Sequence, residues 1–385
     1  MRWGATLAAG ASLAARFGGL SSLGAERGAT STPISAALRA NARVAIARCP
    51  GYGSQVRAAL ANCFDLLGGL GSLVKEKTVT VKINLTGTDF SPFLGRPVGE
   101  TFMTHFDTAL ALGALLFAAG AKRVRFVEST QSKAKLQGSL VFADWDVKAL
   151  EALGKVEFEN TRNLGSGKTY THTKVSFGGY MFSALDLNRA YEETDVMVSL
   201  AKLKNHITAG VTLSMKNLFG ITPNSLYGDQ AGNEDATAGR GPLHNPRGFE
   251  KIQLPGLKEG ITSFEPTWRV PRIVVDDCAA RPIHLAIIDG ITTMNGGEGP
   301  WCRDAAEIKF MSPGVLIAGL NPVSTDAVGT AVMGYDDPRA LKGTKPFAFC
   351  DNHLLLAEQA GLGIAELAKI DVRGEPIGKV KCNFG

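Results

Sequence analysis

The amino-acid sequence predicts an α/β fold with three layers, in which a largely parallel sheet lies between flanking helices. Short runs of β-branched and apolar residues alternate along the chain with stretches of helical periodicity, and this alternation is typical of parallel sheets joined by crossover helices. The composition is that of a folded protein, because 45% of the residues are hydrophobic and 20% are charged. With 385 residues, the chain can form one large domain, which we expect over residues 40–385.

The predicted strands are apolar runs bounded by glycine, proline or charged residues. The clearest is TVTVKIN, which alternates β-branched residues, and DVMVSL is typical of a buried strand. We predict strands over residues 43–48, 78–84, 123–129, 155–160, 195–200, 284–290 and 315–320, with a hairpin over 170–185.

The predicted helices are indicated by their ends as well as by their periodicity. Thr104 followed by Asp107 resembles a capping box at the start of one helix, and Asn321 followed by Pro322 is a typical start for another. We predict helices over residues 54–70, 104–119, 146–153, 321–334 and 353–368.

Residues 221–270 interrupt the alternation. They are polar, rich in glycine and proline and without periodicity, and a segment of this length without regular structure is uncommon inside a compact domain. We therefore interpret 221–270 as a long polar insertion, which forms a lid, a small subdomain or a disordered excursion.

The N-terminal segment has the composition of an export signal. Residues 1–25, MRWGATLAAGASLAARFGGLSSLGA, are rich in Ala, Gly and Leu and contain no acidic residue. We expect residues 1–30 to be an export signal of the twin-arginine type whose start lies upstream, and a disordered tail is the alternative. The protein would then be periplasmic rather than cytoplasmic. No later run has the length of a transmembrane helix, so we expect no stable membrane span.

Charge and cysteine spacing limit the partners and cofactors. The net charge is only +5 and 8% of the residues are aromatic, so nucleic acid is disfavoured as a partner and a small anionic molecule fits better. The six cysteines form no C-x-x-C pair. Cysteine-ligated clusters normally need closer spacing, so we expect no iron–sulfur cluster.

Polar residues follow several predicted strands directly. In open parallel sheets, ligands bind beyond the carboxyl ends of the strands, so these side chains are expected to share one edge. The stretch KLKNH after DVMVSL is the most unusual, because it places two lysines, an asparagine and a histidine beside a buried strand. A short helix over TAGVTLSMKN is expected to return Lys216 and Asn217 to the same edge.

The types of these residues predict a site for a small anion. Lysine ammonium groups hold phosphate or carboxylate, or act as a base when desolvated. For any one residue, the alternative is a structural ion pair, a helix cap or a solvated surface. We predict ligand binding by Lys82, Asn84, Lys202, Lys204, Asn205, Lys216, Asn217 and Asn321. We predict acid/base catalysis by Glu128, His206, Asp289 and Asp326.

A divalent metal is an alternative use of the same edge. Carboxylate and imidazole groups suit Mg²⁺, Mn²⁺ or Fe²⁺, and Glu128, Asp289 and Glu298 are the candidate ligands. No two of these residues have the local spacing of a metal-binding motif, so the metal hypothesis depends on the predicted edge alone.

Several stretches together resemble the family known as domain of unknown function 362. They are VKINLTGT, GAKRVRFVEST, DVMVSLAKLKNHITAGVTLSMKNLFG, AIIDGITTMNGGEGP and GLNPVSTDAVG, in this order over residues 78–335. The resemblance implies the fold, the choice of site residues and an export signal, since many family members carry a twin-arginine signal. Some members have a fused ferredoxin-like segment, whose cysteine pattern this chain lacks. The resemblance implies no particular substrate.

Two functions remain open at this point. The first is an exported enzyme acting on a small phosphate or carboxylate, with or without a divalent metal. The second is a non-catalytic ligand-binding protein or an accessory subunit of an exported redox complex, which would use the same edge without acid/base chemistry.

Overall fold

One large sheet forms the middle of the part of the chain that the structure, a computed structural model, describes. The described residues are 41–88, 92–299 and 307–385, and they fall within one compact unit. The predicted export signal, 1–30, lies outside the described residues. The sheet has eight of the described strands, in the order β14-β1-β13-β10-β7-β2-β3-β4.

The strands are short, and most of those in the large sheet are buried. They are β1 Arg43–Arg48, β2 Thr78–Lys82, β3 Arg123–Glu128, β4 Val156–Asn160, β5 Thr171–Lys174, β6 Ala184–Leu187, β7 Val196–Lys202, β8 Asn205–His206, β9 Gly210–Val211, β10 Leu285–Gly290, β11 Thr293–Met294, β12 Phe310–Met311, β13 Val315–Gly319 and β14 Asp371–Gly374. The pairs β5–β6, β8–β9 and β11–β12 form separate two-stranded antiparallel sheets.

Helices cover the two faces of the sheet. They are α1 Gln55–Leu67, α2 Gly71–Val74, α3 Val98–Thr101, α4 Phe106–Ala118, α5 Leu136–Phe142, α6 Val147–Glu151, α7 Leu213–Asn217, α8 Asn224–Tyr227, α9 Gly241–His244, α10 Pro266–Ala280, α11 Pro322–Val332, α12 His353–Gln359 and α13 Ile377–Val380. Within the described ranges, every helix is too short or too polar to cross a lipid bilayer.

The pleat of the strands decides which layer each side chain joins. Val79, Val81, Val198 and Leu200 pack in one hydrophobic cluster with α1 and α4, whereas α7 and α11 pack on the opposite face of the sheet. Successive residues of a strand point to opposite faces, so Lys82 faces the α7 side. The predicted three-layer α/β fold with a largely parallel sheet is confirmed.

One strand runs against the rest of the sheet. β2, β3, β4, β7 and β10 are parallel to one another, but β13 is antiparallel to both of its neighbours, β10 and β1. The carboxyl end of β13 therefore lies at the edge opposite to that of the parallel strands. This direction corrects the expectation that every predicted strand delivers its following residues to one edge.

Two helix predictions also need correction. The predicted capping residue Thr104 is not the N-cap of α4, because its hydroxyl accepts from the Asn84 amide and donates to the Leu200 carbonyl. His105 caps the helix instead, its Nδ1 accepting from the Asp107 amide. The long helix α10 was not predicted, because Pro266 at its start and Pro271 inside it obscure the helical pattern.

Up to residue 265, the insertion 221–270 contains only short regular elements, and its last residues form the start of α10. α8 and α9 are single turns, and the remaining residues before α10 form turns and extended chain. The Oγ of Ser129, the residue after β3, donates to Asn224 Oδ1 in this insertion, so the insertion lies against the carboxyl ends of the parallel strands.

Candidate functional site

A cavity of about 370 Å³ lies beyond the carboxyl ends of β2, β3 and β7. This is the edge at which open α/β sheets bind ligands. The charged and titratable residues of its lining are Lys82, Glu128, Lys204, His206, Lys216, Arg240, His244 and Glu298. The neutral polar residues of its lining are Asn84, Thr86, Ser129, Gln131, Thr208, Thr212 and Asn217. The structure therefore brings together most of the residues that the sequence predicted for the site.

Lys82 and Glu128 form a buried ion pair in the cavity wall. Lys82 Nζ lies 2.6 Å from Glu128 Oε1, and both side chains are 2% exposed. The ammonium also donates to the Ile83 carbonyl and to Asn217 Oδ1, and Glu128 accepts from the backbone amides of Leu85 and Ser129. Burial lowers the pKa of Lys82, and the adjacent Glu128 opposes this shift. Because both groups are fully partnered, the pair is a rigid part of the wall.

A glycine allows the chain after α7 to approach this ion pair. A Cβ atom at Gly220 would lie 3.0 Å from Lys82 Cε and 3.1 Å from its Nζ, closer than ordinary van der Waals contact. Asn217, at the end of α7, donates from Nδ2 to the Lys82 carbonyl and to Ser199 Oγ. The K-N-L-x-G part of the motif is thus explained by contacts with Lys82.

A carboxylate from α11 holds the start of α7 in place. Leu213 has φ +44°, a left-handed conformation that is strained for a residue with a side chain. The Asp326 carboxylate in α11 accepts from the amides of Ser214 and Met215 and from the Ser214 hydroxyl. Burial raises the pKa of Asp326 to about 7, against the effect of these hydrogen bonds. Asp326 therefore positions the helix that carries Lys216 and Asn217.

Lys204 and Lys216 differ from Lys82 in having few partners. Lys204 Nζ donates to the Phe102 carbonyl at 2.6 Å. Lys216 Nζ lies 4.3 Å from the ring centroid of Phe219, and no hydrogen-bond acceptor within the described ranges reaches it. Burial, opposed by the negative charge of Glu298, lowers the pKa of Lys204 to about 7 and that of Lys216 to about 8. Both amines can therefore accept a further partner beyond those that the described residues supply.

Two histidines line the cavity in opposite tautomers. His206 Nδ1 accepts from the Thr208 amide, so its proton is on Nε2, which lies 3.5 Å from Glu298 Oε1. His244 Nδ1 lies 2.9 Å from the Arg240 carbonyl. A carbonyl can only accept, so Nδ1 of His244 carries the proton and its Nε2 is an acceptor. Burial lowers the pKa of His206 well below its usual range and that of His244 to about 4.

Arg240 and His244 come from the insertion and were not predicted as site residues. The Arg240 guanidinium donates to Ser129 Oγ and to the carbonyls of Thr222 and Gly220, and burial lowers its pKa to about 10. Pro242 predicts a helix start near this point. Nothing in the sequence pattern, however, predicts that α9 faces the cavity.

Two hydrogen-bonding atoms of the cavity lining have no partner in the described part of the chain. Asn84 Oδ1 and Thr86 Oγ1 are buried and unsatisfied. Buried polar atoms in native proteins are nearly always paired. Both residues line the cavity from the stretch after β2, but the two atoms themselves are closed off from solvent.

Lys202 and Asp289 lie outside this cavity, in a separate buried cluster. Lys202 Nζ donates to Tyr52 Oη, to the Gly99 carbonyl and, at 3.3 Å, to Asp289 Oδ2. Asp289 also accepts from Tyr52, Thr108 and the Ile291 amide. Lys202 lies two residues after Leu200 and four after Val198 in β7, so its side chain points to the same side of the sheet, towards α1. The cluster is closed and fully partnered, which corrects the expectation that these residues share one pocket with Lys82.

Three other predicted residues do not line the cavity. Asn205 lies beside it, donating to Tyr335 Oη and accepting from the Gly296 amide. Asn321 lies at the opposite edge because β13 is antiparallel, and it caps α11 and donates to the Leu362 carbonyl. Asp326 lies beneath α7, as described above. The structure gives each of these residues structural contacts.

The predicted metal ligands are not grouped. Glu128 is paired with Lys82, Asp289 is paired with Lys202, and Glu298 lies beside His206. Over residues 41–88, 92–299 and 307–385, no three His, Cys, Asp or Glu side chains are arranged to hold a metal ion.

The fold and the site define an α/β protein with a cationic cavity at the carboxyl ends of its parallel strands. The chain belongs to the family described as a domain of unknown function (DUF362), whose family model matches residues 79–331. The resemblance carried by the motifs is therefore confirmed.

Comparison with individual proteins gives one similar sequence and one similar structure. A thylakoid-associated protein of Synechocystis sp. is 24% identical over 274 residues, which are 70% of this chain and 68% of that protein. A crystal structure of a protein from Thermotoga maritima is similar with a TM-score of 0.32 and 13% identity, over 66% of this chain and 54% of that chain. The matched region thus spans about half the length of the Thermotoga protein.

Proposed function

We propose that this protein binds a small anion, a carboxylate or a phosphate, in the cavity and acts on it as an enzyme. The observation that carries the proposal is the pair Lys204 and Lys216. Lys204 is buried and Lys216 is half-buried in the cavity wall, with one acceptor for Lys204 and none for Lys216 among the described residues. A buried charge without a partner is costly, and a bound anion would remove this cost.

The remaining cavity residues support a ligand with more than one polar group. Arg240 adds a third cation beside the two lysines, and guanidinium groups suit carboxylate and phosphate recognition. Asn84, Gln131 and Thr208 add neutral polar side chains to the lining, so the molecule we propose carries a hydroxyl or similar group besides its anionic group.

The two histidines support catalysis rather than binding alone. His244 Nε2 is an acceptor and His206 Nε2–H is a donor, and both imidazoles line one cavity. A base and an acid held apart by fixed tautomers are suited to moving a proton from one atom of a ligand to another. The reaction class that we propose therefore includes proton transfer on the bound anion, with Glu298 orienting His206.

We also propose that residues 221–270 are the part of the 40–385 domain that covers the ligand. Arg240 and His244 give this segment direct access to the cavity. Closure over a ligand would exclude water and strengthen the charge interactions inside. Export by the segment 1–30 and a partner in a redox complex stay predictions from the sequence.

Thermal unfolding of the full chain with inorganic phosphate, acetate or succinate tests the binding site. A ligand that binds the native state raises the midpoint with the logarithm of its excess. We expect at least one of these anions to raise the midpoint of the parent, and Lys204→Met with Lys216→Met to abolish the rise. Lys148→Met is the matched control, because Lys148 is exposed on α6. An equal rise in the double variant would contradict the proposed site.

Conversion separates an enzyme from a binding protein. NMR spectra of the bound anions, recorded over time in deuterated water, report proton exchange at carbon. We expect exchange that is lost in His244→Gln while the thermal shift persists. A ligand that is retained without exchange or conversion would support the alternative, a non-catalytic binding protein.

A further inference from the structure

The four lysines at the carboxyl edge of the sheet differ in the number of hydrogen bonds that their amines make. Lys82 and Lys202 each donate to three acceptors, and Lys204 donates to one carbonyl. Lys216 lies over the ring of Phe219 and has no acceptor within the described ranges. Of these four amines, that of Lys216 is therefore the one that makes no hydrogen bond to the described residues.

We propose that the amine of Lys216 forms a Schiff base with the aldehyde or ketone carbonyl of the bound anion. This inference rests on the proposed function, because the anionic group would be held by Lys204 and Arg240 in the same cavity. It narrows the substrate class to small carbonyl compounds that carry a carboxylate or a phosphate, such as keto acids and phosphorylated aldehydes.

The surroundings of Lys216 favour a neutral, nucleophilic amine. Lysines become nucleophiles when they are desolvated or lie next to another cation, and Lys216 meets both conditions. Its side chain is half-buried against an aromatic ring. Desolvation and the positive charges of Arg240 and Lys82 oppose its protonation, against the effect of Glu298. The resulting pKa of about 8 leaves part of the amine neutral near neutral pH.

The reaction balances without an oxidant or a reductant. The lone pair of the Lys216 nitrogen attacks the carbonyl carbon, and the carbonyl π pair moves to oxygen. One amine proton moves to that oxygen and gives a carbinolamine. The nitrogen lone pair then expels the hydroxyl group, which leaves as water with the second amine proton, and a C=N bond remains. His244 Nε2, an acceptor in the same cavity, can carry these protons.

Reductive trapping tests the inference on the full chain. The protein is incubated separately with glyoxylate, pyruvate and glyceraldehyde phosphate in the presence of sodium cyanoborohydride, which adds hydride to the imine carbon and fixes a secondary amine. Intact mass and peptide mapping then locate the adduct. We expect one adduct per chain, on Lys216, whose formation is reduced by competing inorganic phosphate or acetate.

Variants distinguish this site from surface labelling. Lys216→Arg keeps the charge and removes the nucleophile, so we expect complete loss of the adduct with an unchanged unfolding midpoint. Lys216→Met serves the same purpose if the arginine variant does not fold. Lys148→Arg, on the exposed face of α6, should keep the adduct.

The outcomes separate the two proposals. No adduct from any probe, or an adduct on Lys204 or on surface lysines that persists in Lys216→Arg, overturns the Schiff base. If anions still raise the unfolding midpoint of the parent in that case, the anion site stands without the covalent step. If no anion raises the unfolding midpoint of the parent, both proposals fail.

Discussion

Asp326 in α11 accepts two hydrogen bonds from Ser214 in α7, one from its amide at 2.9 Å and one from its hydroxyl at 2.5 Å. The contact joins residues 112 positions apart in the chain. It fixes the start of the helix that delivers Lys216 and Asn217 to the cavity. A carboxylate predicted from the sequence to be catalytic thus acts by positioning the residues of the site.

Replacing Asp326 with asparagine should weaken this attachment. The amide can accept from Ser214, but its NH₂ group would face the Met215 amide, which is also a donor. Leaving a buried donor unsatisfied costs about 1–3 kcal/mol, and we expect a decrease of this size in the free energy of unfolding by urea. Asp336→Asn, at an exposed position, is the control and should change stability little.

The pH dependence gives a second readout for Asp326. Its pKa is raised from 3.8 to about 7 in the folded protein, so between these values the native state holds a proton that the unfolded state has lost. The stability contribution of this group is therefore complete below pH 3.8 and is lost as the pH rises to about 7. Asp326→Asn should remove this part of the pH dependence, and an identical profile would contradict the assignment.

Substitution by methionine should lower the free energy of unfolding at Lys82 but not at Lys216. Lys82→Met leaves the Glu128 carboxylate buried without its 2.6 Å partner, which costs about 3–5 kcal/mol. Lys216→Met removes a charge that has no acceptor among the described residues, and methionine can pack on Phe219, so stability should be unchanged or higher. Urea unfolding in the absence of ligand measures both. Equal destabilisation would show that Lys216 has a structural partner.

Gly220→Ala should disturb the ion pair without removing a charge. The added methyl group would lie 3.0 Å from Lys82 Cε, so either the lysine or the chain after α7 must move. Such overpacking costs about 1–3 kcal/mol. Gly378→Ala in α13 is the matched control, because its Cβ would meet nothing within 4 Å. Thermal unfolding compares the two, and equal midpoints would contradict the close approach.

Asp289→Ala should lower the free energy of unfolding without weakening anion binding by the folded protein. The substitution leaves Lys202 buried beside Tyr52 without its carboxylate, and loss of one partner of a buried pair costs about 3–5 kcal/mol. Anion binding, measured by calorimetry on the folded fraction, should persist because the cluster does not line the cavity. A stable variant that no longer binds the anion would instead show that Asp289 belongs to the binding site.

Anion affinity should fall as the pH rises through the pKa values of the cavity lysines. Lys204 and Lys216 lose their protons near pH 7 and 8 respectively, and an uncharged amine no longer pairs with the anion. For each ammonium that must be charged, the affinity falls up to about ten-fold per pH unit. Calorimetry with acetate or succinate measures the affinity at each pH without a change in the charge of the ligand over this range. Lys204→Arg should flatten the lower part of the plot of affinity against pH.

The sequence could predict a large part of the cavity from one rule. Lys82, Glu128, Lys204 and His206 all follow parallel strands, and the ligand-binding edge of such sheets is known. The rule works here because β7, β2 and β3 lie next to one another in this order in the sheet. Their buried sequences, rich in β-branched residues, favour such central positions.

The errors have two physical causes. The rule locates the end of a strand but ignores the pleat, and the pleat turns Lys202 and Asp289 towards α1. It also assumes strand direction, which is fixed by tertiary pairing and is reversed in β13. Arg240 and His244 could not be predicted for a third reason. They lie in a segment without periodicity, where only the folded chain determines what faces the ligand.

The reversal of β13 has an evolutionary consequence. Gly290 at the end of β10 pairs with Val315 at the start of β13, so the excursion 291–314 leaves and re-enters the sheet at the ligand edge, and it carries Glu298 into the cavity wall. Insertions or deletions in this excursion would alter the shape and charge of the cavity while the eight strands of the large sheet keep their register. A change in this excursion is therefore a route by which the ligand preference proposed above could change while the eight-stranded sheet stays as it is.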